Sequence, residues 1–114
     1  MIKLYGIQQC DTVKKARKWL DQQGIAYQFH DFRTDGLTVS MLEEFVEQAS
    51  WETLLNQRST SWRQLSGEQK SELSQSKAVS LMLETPTLIK RPVLQSDNGL
   101  MVGFSAENYE KLLR

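Results

Sequence analysis

The chain is poor in the residues that build covalent or metal-bound frameworks. It has one cysteine, one histidine and two prolines among 114 residues. A single cysteine cannot close an intramolecular disulfide, which excludes a stapled secreted scaffold. One Cys and one His are also too few ligands for a structural zinc site. Net charge is missing as well: 14 Lys and Arg balance 14 Asp and Glu. With no basic excess to hold phosphates, no nucleic-acid partner is expected. No apolar run approaches the roughly 20 residues that span a bilayer. The opening "MIKLYGIQQC" meets polar residues too early for a secretory signal. A cytoplasmic, reducing compartment is therefore expected, with no membrane partner and with Cys10 resting as thiol or thiolate. A monomer is expected too.

What remains is ordinary for a globular protein: 39% hydrophobic and 25% charged residues. That composition and length predict a single domain over residues 1–114 that buries a core without staples.

Residues 2–5 are a short apolar run that Gly6 ends, which predicts a strand. From Asp11 to Gln22, Val13, Ala16, Trp19 and Leu20 share one helical face, with Lys14, Lys15, Arg17 and Lys18 mostly off it. Gly24 is the expected helix stop. In "IAYQFHDF", residues 25–32, Ile25, Tyr27 and Phe29 alternate with polar or small residues, which predicts a second strand. Strand, helix and strand joined by short loops imply a right-handed crossover and a parallel pair. The middle is helical in pattern, with Thr38 or Ser40 as the first cap and Leu42, Phe45 and Val46 inward. Short helices are expected over 61–85. Strands are expected at 87–89, 93–95 and 100–104, with an Asn98-Gly99 hairpin turn. "SAENYEKLLR" reads as a closing helix capped by Ser105. The predicted fold is α/β, a four-stranded mixed sheet with βαβ then ββα order and a helical insertion at about 38–85.

The stretch "GIQQCDTVKKAR" places Cys10 where the first strand hands over to the first helix. Free backbone N–H groups and the positive end of the helix dipole favour thiolate there. Cysteine pKa values at such sites fall from ~8.5 to roughly 3.5–7.5. Lys14, four residues on, is expected to steady the thiolate, whereas the Asp11 carboxylate opposes it unless it caps the helix. The same N–H groups offer a place for an anion or for substrate oxygens, with Gln9, Asp11 and Thr12 as candidate contacts. The alternative is a small buried hydrophobe; polar Gln9 and Asp11 on either side argue against deep burial. With no second cysteine, another molecule must resolve any adduct, and cytosolic glutathione is the obvious one. His30 alternates off the face of Tyr27 and Phe29, so a solvent-facing or locally bonded role is expected. Arg33 and Asp35 in "DFRTDG" suggest an ion pair that stabilises a turn.

In "LIKRPVL", residues 88–94, a basic pair precedes a proline between strand-like runs. Pro92 restricts Arg91 to extended backbone and removes a ladder donor. Either this is an edge-strand proline beside solvated charges, or a cis Arg91-Pro92 bond aims Arg91 at its neighbours.

"YGIQQCDTVKKAR", "TPTLIKRPVL" and "LMVGFS" together resemble the ArsC/Spx group, the arsenate-reductase-related branch of the thioredoxin superfamily, and its YffB-type members most of all. The resemblance covers essentially the whole chain and implies a thioredoxin-like fold. It implies that Cys10 is the nucleophile, that Arg91 is the oxyanion-binding arginine, and that Pro92 is the cis-proline beside the thiol. It also places a further substrate-binding arginine in the helical block, for which Arg58 and Arg63 in "NQRSTSWRQL" are the candidates. Phe104 stands where glutaredoxin-coupled arsenate reductases carry another arginine, which disfavours arsenate. Val13 stands where the redox regulators carry the second cysteine of C-x-x-C, which disfavours a disulfide switch. The function this implies is a glutathione-dependent monothiol oxidoreductase with no tightly bound cofactor. Glutathione serves as co-substrate and glutaredoxin is a candidate partner. A protein-binding adaptor or Spx-like regulator is the alternative, and an arsenate reductase the third.

Overall fold

The first apolar run forms β1 (Lys3–Gly6), one residue later than its pattern predicts. In the computed structural model, which describes residues 1–114, the chain divides into two units. The first joins Met1–Gly36 to Arg91–Arg114, and the second is Leu37–Lys90.

In the first unit β1 pairs in parallel with β2 (Gln28–Asp31) and antiparallel with β3 (Val93–Ser96). β3 pairs antiparallel with β4 (Gly99–Val102), giving the order β2-β1-β3-β4. A parallel pair needs a crossover, and α1 (Asp11–Gln22) supplies it. This is the four-stranded mixed sheet that the sequence predicts. Leu4 and Leu94 face each other in register and share a core with Ala16 and Leu20 of α1 and Tyr109 of α7 (Ala106–Leu113), all fully buried.

Strand length is where expectation and structure part. Only Gln28–Asp31 of residues 25–32 pairs as a strand. Gly24, at φ +67°, turns the chain out of α1, and the ladder starts at Gln28 because its partner Lys3 is where β1 begins. The hairpin loop is Asp97 and Asn98, while Gly99 opens β4 opposite Ser96. Ser96 Oγ sets this register: it accepts the Asn98 N–H at 3.1 Å and donates to the Gly99 carbonyl at 3.2 Å. Gly6 is required for a different reason. A Cβ there would lie 2.7 Å from Val13 Cγ2, so only glycine lets the strand end meet the first turn of α1.

The second unit is helical. Thr38 caps α2 (Val39–Ala49) by accepting the Met41 N–H. α3 (Trp51–Leu54), α4 (Thr60–Arg63), α5 (Gly67–Lys70) and α6 (Gln75–Glu84) follow, each with a serine cap. Leu42, Phe45, Val46, Leu54, Ala78 and Met82 are buried. The strand expected at 87–89 is instead a 3₁₀ turn, Pro86–Leu88, closed by Leu88 N–H to Thr85 and Ile89 N–H to Pro86. Pro86 fixes φ for a turn and has no N–H for a ladder. Strand pairing shrinks to one bridge between Ile89 and Leu55.

Candidate functional site

Cys10 is the N-cap of α1, with extended backbone at φ −76° and ψ 127°. Its N–H donates to the Ile7 carbonyl at 3.0 Å, so residues 7–10 form a tight turn off β1. The thiol is partly exposed. The sulfur takes the place of the usual capping oxygen, next to the N–H groups of the second and third helical residues, Thr12 and Val13. No short capping bond forms, yet both N–H groups favour the thiolate. Burial pushes the thiol pKa up. The Val13 N–H, the Arg91 guanidinium through hydrogen bonding and charge, and the Thr12 N–H outweigh it, and the thiol lies below its ordinary value.

Arg91 is the first residue of the second segment of this unit. The Arg91-Pro92 bond is cis and Pro92 is fully buried. The Pro92 carbonyl accepts the Gly103 N–H at 2.8 Å, which ties this turn to the end of β4. Arg91 Nε and Nη1 are buried without a hydrogen-bond partner. A buried guanidinium edge with free donors suits an oxyanion or a developing negative charge.

The remaining candidates divide. Gln9, Asp11 and Thr12 are exposed around Cys10, and Thr12 acts on the sulfur through its backbone rather than its hydroxyl. Lys14, expected to steady the thiolate, is exposed. Its link to Cys10 is the helical bond from its N–H to the Cys10 carbonyl, and the cation beside the sulfur is Arg91. Arg58 and Arg63 belong to the helical unit. There Arg63 Nη2 donates to the Arg58 carbonyl at 3.3 Å, and Arg58 and Lys90 line an open cavity of about 760 Å³. Phe104 packs edge-on against Tyr109, with ring centroids 4.9 Å apart, and near Trp19 at 6.4 Å. His30 is bonded locally, its Nε2–H donating to the Gly36 carbonyl at 2.7 Å.

Sequence reasoning missed Asp31. The expected Arg33–Asp35 pair does not hold the turn after β2; the Asp31 carboxylate does. Its Oδ1 accepts the Arg33 and Thr34 N–H groups at 2.7 and 3.2 Å. Its Oδ2 reaches back across 23 residues to the Gln8 N–H at 2.8 Å. Burial pushes its pKa up, but these three N–H groups and the Arg33 charge hold the carboxyl below its usual range. Asp31 is 5% exposed. The signal in the sequence was faint: a carboxylate closing a strand that should end in apolar residues. Asp31, Arg33 and Thr34 line, with Ile7, Gln8 and Gln9, a cavity of about 150 Å³ on the cysteine loop.

The chain is similar to known proteins over nearly its whole length. A Haemophilus influenzae protein of uncharacterised function is 44% identical over 96% of each chain. The solved structure of the YffB protein superposes over the full length of both chains with a TM-score of 0.95 and 42% identity. An arsenate reductase (ArsC) related protein from Brucella melitensis is 43% identical, with a TM-score of 0.79 over 99% of this chain and 94% of its own. The ArsC family pattern itself matches residues 5–112, spanning the cysteine loop, the helical unit and the Arg91-Pro92 turn. This chain belongs to the ArsC family.

Proposed function

We propose that the protein is a glutathione-dependent monothiol oxidoreductase of the cytoplasm, with Cys10 as nucleophile and no tightly bound cofactor. One observation carries this reading: the Cys10 sulfur sits at the head of α1, its pKa lowered, beside a guanidinium with two buried donors to spare. The Cys10 thiolate attacks one sulfur of a disulfide R–S–S–R′. The S–S bond breaks, the R′ thiolate leaves and takes a proton from water, and Cys10–S–S–R remains. Arg91 and the Thr12 and Val13 N–H groups steady the negative charge as it spreads over the reacting sulfurs. A glutathione thiolate then attacks the R sulfur, restoring the Cys10 thiolate and releasing R–S–S–glutathione. A second glutathione, or glutaredoxin, reduces that product.

Phe104 brings an aromatic ring and no cation to the end of β4. A tetrahedral arsenate favours several charged donors, each worth roughly 1.5–3 kcal/mol. A sulfur electrophile therefore fits this site better than arsenate does. Mass spectrometry of the protein incubated with oxidised glutathione tests the reading. We expect a mixed disulfide at Cys10 across neutral pH, absent in Cys10→Ser and reversed by reduced glutathione. No adduct, together with a thiol pKa near the free ~8.5, overturns it and favours a binding adaptor. Arsenate-dependent turnover with glutathione and glutaredoxin overturns the substrate assignment.

A further inference from the structure

Ile7 roots the start of the cysteine loop in the core, and beyond it the loop is shaped by backbone bonds. Between β1 and α1 run Ile7, Gln8, Gln9 and Cys10, and the two glutamines are exposed. Two backbone bonds shape the loop: Cys10 N–H to Ile7, and Lys14 N–H to Cys10. The first lies within the loop, and the second joins its end to the first turn of α1. A third bond anchors it to the sheet, from the Gln8 N–H to Asp31 Oδ2 at 2.8 Å. Asp31 is itself fixed. It ends β2 in register with Gly6, its own N–H donates to Asp35 Oδ2 at 2.9 Å, and Oδ1 is taken by Arg33 and Thr34. Phe32 N–H donates to the Gly6 carbonyl at 2.8 Å, which continues the pairing past the strand ends.

We propose that Asp31 is a positioning residue for the Cys10 thiolate: its buried carboxylate holds the Gln8 N–H and thereby sets the turn that presents the sulfur to the head of α1 and to Arg91. This rests on Cys10 acting as a thiolate, as the proposed function requires. Two effects of this carboxylate have opposite signs. As a nearby negative charge it disfavours thiolate, so neutralising it should lower the thiol pKa. As an anchor it favours thiolate, so removing its grip should raise the thiol pKa. Asp31→Asn removes the charge and leaves one acceptor oxygen in place of two, so the sign of the net shift shows which effect dominates.

The test is the rate of iodoacetamide alkylation against pH for wild type, Asp31→Asn and Asp35→Asn. Asp35→Asn loosens the same turn from its far side without touching the Gln8 bond. Anchoring predicts that only Asp31→Asn shifts the thiol titration upward, by about half a pKa unit or more, which is about threefold or more in the proton-binding constant. A downward or unchanged titration in Asp31→Asn, or an equal upward shift in Asp35→Asn, overturns the proposal. An ordinary thiol pKa in wild type, with no glutathione adduct, instead overturns the proposed function, so the two failures are distinct. Amide exchange in the wild-type protein covers a variant that fails to fold. The Gln8 amide should be protected like those of β1, and exchange as fast as that of Gln9 overturns the anchor.

Discussion

At the scale of single residues, the site is one sulfur and the groups that decide its proton. Burial raises the Cys10 pKa, and two N–H groups and one guanidinium lower it further than burial lifts it. Of these only Arg91 acts through a side chain, so it alone can be removed without moving backbone. Arg91→Ala is expected to raise the thiol pKa toward the free value, which moves the pH–rate curve of alkylation to higher pH. Arg91→Lys should recover the charge effect but not the planar pair of donors, so its thiol pKa falls between the two while its glutathione adduct forms slowly. An unchanged pH–rate curve in Arg91→Ala contradicts the assignment. The sequence singled out Cys10 as a lone thiol at a strand-helix junction, but left Arg91 open between a solvated charge and an aimed one, and only the family resemblance gave it a role. It pointed to Lys14 for the second charge because spacing along a helix is visible and contact across a sheet is not. β1 and β3 bring Arg91 to the sulfur from 81 positions away, the difference between 91 and 10.

Elements set the frame in which that sulfur sits, and two of their joints are testable. Gly6 ends β1 against Val13 in the first turn of α1, where a Cβ would stand 2.7 Å from Val13 Cγ2. Val13 is fully buried, so it has little room to move aside. Gly6→Ala should cost about 1–3 kcal/mol, as overpacked cores do. It should also raise the Cys10 pKa, because the Val13 N–H is the leading group that lowers it. Urea melts and thiol titration read both effects, and a stable variant with an unshifted thiol refutes the coupling. The second joint is the Asp31 turn. Its carboxyl is depressed in the fold, so it contributes stability above the unfolded carboxyl pKa of ~3.9. That contribution is lost as pH falls through the lower folded value. The deficit of Asp31→Asn against wild type, about 1–3 kcal/mol at neutral pH, should therefore narrow on acidification below ~4, as followed by urea unfolding. A deficit that widens reverses the sign and removes the carboxylate from the account. Helix patterns were legible because apolar period and caps are local: α1 and the Thr38 and Ser105 caps stand where the pattern places them. Strand limits were not, because a strand ends where its partner ends. The 3₁₀ turn at Pro86–Leu88 shows the same limit, since the β-compatible residues 87–89, without a full partner strand, did not become one.

For the whole molecule, chain order matters more than any one contact. The unit that holds the site is made of two segments, Met1–Gly36 and Arg91–Arg114, separated in sequence by the helical unit. Cys10 arrives on the first and Arg91 on the second. The only strand pairing that joins them is β1 with β3: Lys3, Leu4 and Tyr5 against Gln95, Leu94 and Val93. The core of that unit is likewise drawn from both segments, with Leu4, Ala16 and Leu20 from the first and Leu94 and Tyr109 from the second. No part of the first segment can bring a cation of the second to the sulfur until this pairing closes. The lowered thiol pKa should therefore be a property of the assembled sheet and not of the loop. In a urea titration at neutral pH, the ultraviolet absorbance of the thiolate should fall with the same midpoint as the tertiary signal of Trp19. Coincident transitions are the mark of a single cooperative step. Thiolate signal lost well before the Trp19 signal would mean that the cysteine loop opens on its own while β1 and β3 stay paired. In that case Arg91 is held by the sheet but the sulfur is not, and the weak joint is the Gln8–Asp31 bond, which ties the loop to the end of β2.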